Sequence, residues 1–408
     1  MPDRSVDYLL IGGGIAAGNC AKTLREEAAD GSILLVGREP DPPYDRPPLS
    51  KDYLKGESAR EDALLEPADW YERNGIELLT RTSVMKLDAA ARTAKLSTRE
   101  EIEFGKALIA TGANVRRLRV DGSDLEGIHY LRAFGNSDAI RADAESAGRV
   151  VLIGGSYIGC EVAATLTSKG IDCSIVMQED VTLERAFGSE VGRHFQSLLE
   201  ERGVDVHGAD ELERFEGADG RVTKVVTRNG VELECGCVVI GAGVMPDTML
   251  AKAAGLELGE HGGIRVGETL ESSVPGIFAA GDVAEYDSPI HGRPLRIEHW
   301  DVAAEQGKTA ARNMLGHNAP HDVVPYFFSD LADWAALEYV GPGSGQPVVR
   351  GSFGDGAFTV FYLDDGRVTA ALAVGRSDDL DHARRMIRQG ATPRPEALAD
   401  ADTDLAGL

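Results

Sequence analysis

The chain carries one local pattern twice, and this repeat constrains its fold more than any other feature. In each copy, an apolar run precedes a short glycine-rich segment, a helical stretch and a second apolar run. The apolar runs cover residues 6–11 and 33–36 in the first copy, and residues 150–153 and 173–177 in the second. A buried strand, a glycine turn and a helix in this order open a dinucleotide-binding unit. The repeat therefore predicts an α/β protein with two Rossmann-like domains.

The first glycine segment reads Gly12-x-Gly14-x-x-Ala17. In such a loop the first glycine permits a tight turn and the second lets a pyrophosphate approach the backbone, while a small third residue lets the helix pack closely on the strand. The helix N-terminus adds unpaired amides and the positive end of its dipole. Glu39 follows the second strand and is the candidate for binding the ribose hydroxyls.

The second glycine segment reads Gly154-x-Ser156-x-x-Gly159. Ser156 stands where the closest backbone approach is expected, so this copy matches the pattern less well. The serine side chain is small, and its hydroxyl can bond a phosphate oxygen. We therefore expect a second dinucleotide site here.

The strand after this second loop ends in Glu179 and Asp180. Two carboxylates repel the 2′-phosphate of NADP, whereas one of them accepts hydrogen bonds from the free 2′-hydroxyl of NAD. NADH is therefore favoured over NADPH. Arg185 lies close enough along the chain to contact the cofactor, although a solvated surface arginine fits the sequence equally well.

Composition narrows the class of partner. The 408 residues include 67 acidic and 42 basic side chains, a formal net charge of −25, which disfavours nucleic acid as a partner. No apolar stretch approaches the roughly 20 residues of a membrane span, so we expect none. The five scattered cysteines are typical of reduced thiols and predict a cytoplasmic protein. Cys235 and Cys237 could form a redox pair or a metal-binding pair. We favour the alternative that they are two residues on one face of a strand, and we predict no metal site.

Four segments, in their order along the chain, resemble one flavoprotein family. They are Tyr-Asp-Arg-Pro-Pro-Leu-Ser-Lys at residues 44–51, Ala-Thr-Gly at 110–112, the second glycine segment at 154–161, and Ala-Gly-Asp at 280–282. The family includes ferredoxin reductases of oxygenase systems, rubredoxin reductases, monodehydroascorbate reductase and apoptosis-inducing factor. The similarity covers the chain to about residue 390. The resemblance implies an enzyme that binds FAD and a nicotinamide dinucleotide and passes a hydride between them.

The resemblance also implies a domain arrangement like that of glutathione reductase. An FAD-binding domain would comprise residues 1–112 and 243–321, an NAD-binding domain residues 113–242, and a C-terminal α+β domain residues 322–390. Residues 391–408 contain two prolines and are acidic, which predicts a flexible tail. Related disulfide reductases carry a cysteine pair just after the first ribose-binding acid. This chain has Pro-Pro-Tyr-Asp-Arg there and no cysteine, so dithiol chemistry is disfavoured.

The resemblance assigns catalytic roles to three charged residues. Lys51 would lie beside the reactive edge of the flavin, where an ammonium stabilises the negative charge that arrives with a hydride. Glu161 would pair with Lys51, because a buried lysine without a partner is unfavourable. Two unrelated surface charges are the alternative. Glu298 would accept a hydrogen bond from the nicotinamide amide and orient that ring.

The glycine loops and the resemblance together give two sets of cofactor-binding residues. At FAD we expect Gly12, Gly14, Ala17, Glu39, Arg46, Lys51, Val84, Ala110, Thr111, Arg132, Asp282, Trp300 and Phe328. At NAD we expect Gly154, Ser156, Tyr157, Ile158, Gly159, Glu179, Arg185, Gly243 and Glu298. Two of these residues have structural alternatives: Asp282 would hold the ribityl hydroxyls or cap a helix, and Trp300 would cover the flavin or belong to a core.

Two positions depart from the pattern of the family, and a third position indicates particular branches of it. Arg38 stands where relatives often have an acidic residue, so Glu39 should bind the ribose alone. Phe328 stands where relatives have tryptophan or tyrosine, and phenylalanine can stack but cannot donate a hydrogen bond. His299 after Glu298 resembles the apoptosis-inducing-factor and monodehydroascorbate-reductase branches, whereas oxygenase reductases usually have serine there.

We expect NADH to reduce FAD and the electrons to pass to a small redox protein, a 2Fe-2S ferredoxin or a rubredoxin. The alternatives are a small acceptor, such as a quinone or an organic radical, and an NADH-sensing flavoprotein with slow turnover. Ferredoxins are usually acidic, so docking on this acidic chain requires a local cationic patch. Two arginine clusters are candidates for this patch. One comprises Arg116, Arg117 and Arg119, and the other comprises Arg384, Arg385 and Arg388. The alternative for each cluster is a solvated basic face without a partner. The sequence leaves the oligomeric state open.

Overall fold

The computed structural model describes residues 2–408. Strands β1–β25, in chain order, span Arg4–Ile11, Ile33–Val36, Ile76–Leu79, Val84–Asp88, Thr93–Leu96, Glu101–Ile109, Ala113–Val115, Ile128–His129, Arg149–Ile153, Asp172–Val176, Asp205–His207, Leu212–Ala218, Arg221–Thr227, Glu232–Glu234, Cys237–Ile240, Val244–Pro246, Ile264–Val266, Ile277–Ala279, Ala284–Ser288, Arg293–Leu295, Tyr326–Leu331, Ala335–Val340, Gln346–Ser352, Ala357–Asp364 and Arg367–Val374. Helices α1–α11 span Ile15–Glu26, Asp52–Lys55, Ala68–Arg73, Phe134–Ala144, Tyr157–Ser168, Glu184–Phe187, Ser189–Glu201, Met249–Ala253, Trp300–Met314, Asp378–Gln389 and Pro395–Ala399. Short 3-10 turns cover Pro47–Ser50, Glu61–Ala63 and Leu405–Gly407. None of these helices is long and apolar enough to cross a membrane.

The first copy of the repeated pattern forms a sheet with the strand order β3-β2-β1-β6-β5-β4, and β18 pairs with β6. Strands β1, β2, β3, β6 and β18 are parallel, and the residues of β2 are buried throughout, as expected for a sheet covered on both faces. Helices α1 and α9 pack against each other beside this sheet. Their close approach requires Gly307, because a Cβ at this position would overlap the carbonyl oxygen of Ala16.

The second copy forms a parallel sheet with the order β11-β10-β9-β15-β8. A separate antiparallel sheet, β12-β13-β14, packs its apolar residues against it. In both sheets the glycine loop follows an interior parallel strand, β1 in the first and β9 in the second. Ligands of such sheets bind at the carboxyl ends of the strands, so both glycine loops are placed where a dinucleotide would bind.

The two passages of the chain between these sheets are hydrogen-bonded to each other. Strands β7 and β16 pair antiparallel, with Val115 opposite Val244. This two-stranded ribbon connects the regions of the two glycine loops. Another small sheet, β17-β19-β20, lies within the part of the chain that returns to the first sheet.

The C-terminal part is an antiparallel sheet with the order β21-β22-β25-β24-β23. Helix α10 covers one face and buries Leu380, Ala383 and Met386. The other face packs on the second dinucleotide-binding unit, where the Tyr362 hydroxyl donates to the carbonyl of Phe187 at 3.0 Å. The predicted fold class, two Rossmann-like domains and a C-terminal α+β domain, is confirmed.

The prediction of a flexible tail over residues 391–408 is wrong. The segment forms α11 and a 3-10 turn, and Leu398 and Leu405 are buried in the core of the C-terminal sheet. The buried guanidinium of Arg350 donates to several of its backbone carbonyls, including that of Thr403 at 2.9 Å. Arg385 also donates to the carbonyls of Leu405 and Leu408. Two arginines and two widely spaced leucines hold this segment in place, and so sparse a set produces no periodic apolar pattern in the sequence.

Candidate active site

A cavity of about 770 Å³ lies where the two glycine loops face each other. Residues of the proline-rich segment, the β7–β16 ribbon, the start of α9 and strand β21 complete its wall. Most of the predicted site residues line it: Gly12, Gly14, Glu39, Arg46, Lys51, Val84, Ala110, Thr111, Arg132, Ser156, Tyr157, Ile158, Glu161, Gly243, Asp282, Glu298, Trp300 and Phe328. The predicted residues outside its wall are Ala17, Gly154, Gly159, Glu179 and Arg185.

The two glycines of the first loop differ in the space around them: Gly12 is tightly packed, and Gly14 faces open space. Gly12 has a φ of +131°, and a Cβ there would overlap the carbonyl oxygen of Ala110, so only glycine fits. Gly14 precedes α1, where no side chain caps the helix, and no other atom lies within 4 Å of the position its Cβ would take. Ala17 is fully buried. The free amides and the space before Gly14 therefore fit a pyrophosphate.

The second glycine loop is determined mainly by packing. Gly154 has a φ of +109°, and its Cβ would come within 2.6 Å of the carbonyl oxygen of Gly241. A Cβ at Gly159 would overlap the carbonyl oxygen of Gly154, and neither glycine lines the cavity. Ser156 precedes α5 and is exposed, and its hydroxyl makes no capping hydrogen bond. A ligand phosphate can therefore take that hydroxyl as a donor.

A frame of half-buried charged side chains, here called the polar frame, surrounds the first loop. Glu39 accepts hydrogen bonds from Arg46 and from the Tyr44 hydroxyl, both at 2.6 Å. Burial opposes ionisation of Glu39, but Arg46 and Tyr44 outweigh it and hold the pKa of the carboxyl below its usual value. Arg132 lies 3.6 Å from Asp282, and burial together with the nearby Arg46 lowers the pKa of Arg132. Two half-buried arginines beside two carboxylates can bind both the phosphates and the hydroxyls of FAD.

Two open questions about this region are resolved by the structure. The residue after Asp282 leads into β19 rather than a helix, so the helix-cap interpretation of Asp282 is wrong. Arg38 turns away from Glu39 and pairs with Asp247 at 3.1 Å and with Asn114 at 2.7 Å. It thereby connects the end of β2 to the β7–β16 ribbon.

Lys51 and Glu161 form the predicted ion pair. The Lys51 Nζ lies 2.8 Å from Glu161 Oε1, and the side chains are 13% and 6% exposed, so the alternative of unrelated surface charges is wrong. Lys51 follows the 3-10 turn Pro47–Ser50, whereas Glu161 lies on α5, so the pair joins the two dinucleotide-binding units. The ring centroid of Phe328 is 5.7 Å from Lys51 Nζ. The pair places a buried ammonium at the wall of the cavity.

The start of α9 contributes three neighbouring residues. Trp300 lines the cavity and donates from Nε1 to Asp45 at 2.7 Å, so it is not a core tryptophan. The carboxylate of Glu298 pairs with Arg296 at 2.5 Å and is 35% exposed. His299 lies 4.5 Å from the ring of Phe327, and its buried Nδ1 has no hydrogen-bond partner among residues 2–408. Burial lowers the pKa of His299 to about 4, so its ring is neutral.

Glu179 and Arg185 pair with each other outside the cavity. Arg185 is 77% exposed and Glu179 is 21% exposed. The ion pair neutralises Arg185, which disfavours a role for this residue in attracting a phosphate. Glu179 keeps the position at the end of β10 that the ribose-binding acid has in such domains.

The five cysteines are free and buried, and burial raises the pKa of each thiol. The prediction that Cys235 and Cys237 share one face of a strand is wrong. Strand β15 begins at Cys237, and the two side chains pack into different apolar clusters on either side of the sheet. Gly236 lies outside the strand, so the strand alternation does not extend to Cys235. Among residues 2–408 no group of side chains has the arrangement of a metal site.

Sequence reasoning missed several contacts of the site. The hydroxyls of Ser50 and Ser329 both donate to Glu161, each at 2.5 Å. Ser50 lies inside the proline-rich motif and directly precedes Lys51, so its contact with Glu161 could have been predicted from that position. Ser329 is 168 positions from Glu161 and gives no local signal. Asp45, the acceptor for Trp300, also lies in that motif.

Two glycine loops that open on one cavity, with a buried lysine–glutamate pair in its wall, define an oxidoreductase that uses FAD and a nicotinamide nucleotide. The comparisons with known proteins give the family. The sequence model of the pyridine nucleotide-disulphide oxidoreductases matches residues 6–307, and that of the reductase C-terminal domain matches residues 326–408. The chain belongs to the pyridine nucleotide-disulphide oxidoreductase family.

Individual relatives match over nearly the whole chain. The ferredoxin–NAD(+) reductase component of the anthranilate 1,2-dioxygenase system from Burkholderia cepacia is 37% identical over 404 residues, which cover 98% of each protein. A monodehydroascorbate reductase from Oryza sativa is 33% identical over 91% of this chain and 80% of its own length. The crystal structure of a ferredoxin reductase from Rhodopseudomonas palustris has a TM-score of 0.93 at 32% identity, with 98% and 99% of the two chains covered. Putidaredoxin reductase, in its covalent complex with putidaredoxin, has a TM-score of 0.92 at 31% identity, with 100% and 98% covered.

Proposed function

We propose that this protein oxidises NADH and delivers the electrons, through FAD, to a ferredoxin-type iron–sulfur protein. The observation that carries this proposal is the single cavity shared by both glycine loops. Direct hydride transfer requires the nicotinamide and flavin rings to meet, and a shared cavity permits that contact. When bound, FAD supplies the chemistry of accepting a hydride and releasing electrons one at a time.

In this proposal the first loop and the polar frame hold FAD. The amides at Gly14 and the N-terminus of α1 bind its pyrophosphate. Arg46 and Arg132 add positive charge, while Glu39 and Asp282 accept hydrogen bonds from hydroxyl groups. The remaining cofactor contacts are walls of the cavity, formed by Val84, Ala110, Thr111, Trp300 and Phe328.

Lys51 acts through its charge. Its ammonium, held by Glu161, stabilises negative charge that develops in the cavity during hydride transfer. Burial strengthens this interaction because little water is present to screen it. Phe328 offers a face for stacking and no hydrogen-bond donor. No side chain need gain or lose a proton in the transfer itself.

The second loop and its neighbours bind NADH. Ser156 and the N-terminus of α5 take the phosphates, and Tyr157, Ile158 and Gly243 line the path of the nucleotide. Glu298 binds the nicotinamide amide. To do so, its carboxylate either breaks its ion pair with Arg296 or accepts hydrogen bonds from both groups. Glu179 accepts the ribose hydroxyls and repels a 2′-phosphate, which favours NADH over NADPH. We place this activity in the cytoplasm, where thiols such as these stay reduced.

A ferredoxin-type acceptor is supported by the relatives and by the charge of the chain. The Burkholderia cepacia relative is named a ferredoxin–NAD(+) reductase component, and the putidaredoxin reductase structure holds its redox partner. An acidic partner requires exposed cations. Within the C-terminal cluster Arg384 pairs with Asp381 at 2.6 Å, Arg385 donates to backbone carbonyls near the chain end, and Arg388 pairs with Asp322 at 2.8 Å.

The other cluster keeps its charge available. Arg116, Arg117 and Arg119 are exposed, and none of them has an ion-pair partner within the described residues. Arg117 lies over the ring of Tyr130, 5.3 Å from its centroid. The cluster directly follows Val115, which lines the cavity. We therefore favour this cluster as the cationic patch for an acidic partner.

A small organic acceptor is the second candidate. The observation that favours it is His299 beside Glu298 at the cavity, together with monodehydroascorbate reductases among the relatives. The neutral imidazole of His299 at the wall of the cavity can form a hydrogen bond with a small polar acceptor that enters the cavity. A redox protein that docks on the surface would not bring such a group into the cavity.

Anaerobic reduction followed by a panel of acceptors tests the proposal. The protein, loaded with FAD, is reduced with one equivalent of NADH and then mixed with a 2Fe-2S ferredoxin, a rubredoxin, a quinone or oxygen. We expect the ferredoxin to reoxidise the flavin fastest, and charge reversal of Arg116, Arg117 and Arg119 to slow that reaction in a salt-dependent manner. Faster reoxidation by the quinone would favour the small acceptor. A reduced flavin that persists with every acceptor would contradict an electron-transfer function.

A further inference from the structure

The carboxylate of Glu161 accepts hydrogen bonds from three side chains in two other parts of the chain. Lys51 Nζ at 2.8 Å and Ser329 Oγ at 2.5 Å both contact Oε1, and Ser50 Oγ contacts Oε2 at 2.5 Å. Ser50 belongs to the turn before Lys51, Glu161 to α5, and Ser329 to β21 of the C-terminal sheet. Both serines are 2% exposed, so water does not compete for their hydroxyls.

The two hydroxyls have fixed positions. The backbone carbonyl of Ser50 accepts a hydrogen bond from Thr165 Oγ1 at 2.7 Å, which attaches the turn to α5. Ser329 lies opposite Leu337 in the β21–β22 ladder. Phe328, its neighbour in β21, lines the cavity beside Lys51. The C-terminal sheet therefore contacts the cavity through Phe328 and the ion pair through Ser329.

The charge that Lys51 presents to the cavity depends on how fully Glu161 neutralises it. A hydroxyl dipole directed at a carboxylate offsets part of its negative charge, and at a buried site this effect is weakly screened. Two such dipoles act on Glu161. The ammonium of Lys51 therefore keeps more of its positive charge than it would opposite a carboxylate without other donors.

We propose that Ser329 and Ser50 are positioning residues that set the effective charge of Lys51 in the cavity. Ser329 makes this charge depend on the placement of the C-terminal sheet. The inference rests on the proposed function, in which the Lys51 ammonium acts on bound FAD. Without the Ser329 hydroxyl, Glu161 neutralises Lys51 more completely, and bound FAD becomes harder to reduce.

The test compares Ser329→Ala with the wild-type protein loaded with FAD. We expect a lower midpoint potential of the bound flavin by spectroelectrochemistry. We also expect a rate of hydride transfer from NADH that is about tenfold lower, since one hydrogen bond to a charged group is lost. The dissociation constant for NADH should not change. Ser329→Thr retains the hydroxyl and should restore both the potential and the rate.

Thr359→Val is the matched control. The Thr359 hydroxyl donates to Asp379 at 2.7 Å, in the same sheet and equally buried, and it lies outside the wall of the cavity. This variant loses the same kind of hydrogen bond, so we expect a lower melting temperature with an unchanged midpoint potential. If Thr359→Val shifts the potential as much as Ser329→Ala does, the effect is general destabilisation and the inference is overturned.

Glu161→Gln separates the inference from the proposed function. Removing the carboxylate charge should raise the midpoint potential, and Ser329→Ala added to this variant should have little further effect. If Glu161→Gln shifts the potential and Ser329→Ala alone does not, the role of Ser329 is overturned while the proposed function stands. If neither variant shifts it, the Lys51–Glu161 pair does not act on the flavin, and the role proposed for that pair falls as well.

Discussion

The two dinucleotide-binding units share a strand–loop–helix fold but differ in how their pockets are built. In the first, the side chains of Arg46 and Arg132 are each 27% exposed and pair with Glu39 and Asp282. In the second, the loop serine is exposed, and the acid at the strand end pairs with an arginine that is 77% exposed. A partly buried frame of paired charges fits a cofactor that stays bound, and an exposed loop with a solvated ion pair fits a nucleotide that binds and leaves. We therefore infer that the first site retains its nucleotide and the second exchanges it.

Gly12→Ala should give the largest difference between the two units. The new Cβ would overlap the carbonyl oxygen of Ala110 at a φ that disfavours alanine, so the first loop has to shift. We expect FAD affinity to fall by about 100-fold or more. The flavin absorbance of the purified protein measures it. Gly14→Ala is the matched variant for the packing argument, because its Cβ meets no protein atom and only enters the space for the pyrophosphate. Without FAD, Gly12→Ala should lower the melting temperature and Gly14→Ala should not; equal melting temperatures of the two FAD-free variants would contradict the packing argument.

Arg46→Ala tests whether the polar frame holds FAD. It leaves the partly buried Glu39 in the wall of the cavity without its cationic partner, and a carboxylate that loses its partner where water is restricted is unfavourable. We expect FAD to bind roughly 30-fold more weakly, as fluorescence titration of the released flavin would show. Arg185→Ala is the corresponding change in the second unit and should leave FAD affinity unaltered. If Arg46→Ala left FAD affinity unchanged, the proposed difference between the two dinucleotide sites would be contradicted.

Glu298→Ala should alter the open site alone. The variant loses the acceptor for the nicotinamide amide, so we expect hydride transfer from NADH to slow about tenfold while FAD remains bound. Stopped-flow reduction under anaerobic conditions measures the rate. Unchanged kinetics would reject the orienting role of Glu298.

Glu179→Ala should have the smallest effect. Glu179 lies outside the wall of the cavity and contacts Arg185, so its loss removes a ribose acceptor and also releases a cation. We expect the KM for NADH to rise about threefold and the preference over NADPH to narrow. Steady-state kinetics with both nucleotides provide the measurement. Improved use of NADH by this variant would contradict the cofactor assignment.

The two units also differ in how well their residues could be predicted. Glycine loops are local features, so the sequence places Gly12 and Gly154 correctly at the two turns. It does not reveal that Gly154 and Gly159 are needed for packing and lie outside the cavity wall, because that depends on Gly241 and on the loop's own carbonyl. The ion pair between Lys51 and Glu161 was predicted from the resemblance rather than from spacing.

Long-range contacts account for the rest. Ser329 reaches Glu161 only through the fold of the C-terminal sheet, and Arg350 holds the last residues through backbone carbonyls that have no sequence signature. Cys235 and Cys237 show how one residue outside a strand reverses a prediction based on alternation. Contacts between distant elements were therefore the features that sequence patterns could not supply.

Anaerobic mixing of NADH with the FAD-loaded protein in a stopped-flow instrument tests the central claim most directly. If both dinucleotide sites open on one cavity, the flavin absorbance should be lost in a rapid phase whose rate saturates with NADH concentration. A protein that does not retain FAD, or one whose bound flavin stays oxidised when NADH saturates it, would contradict the account.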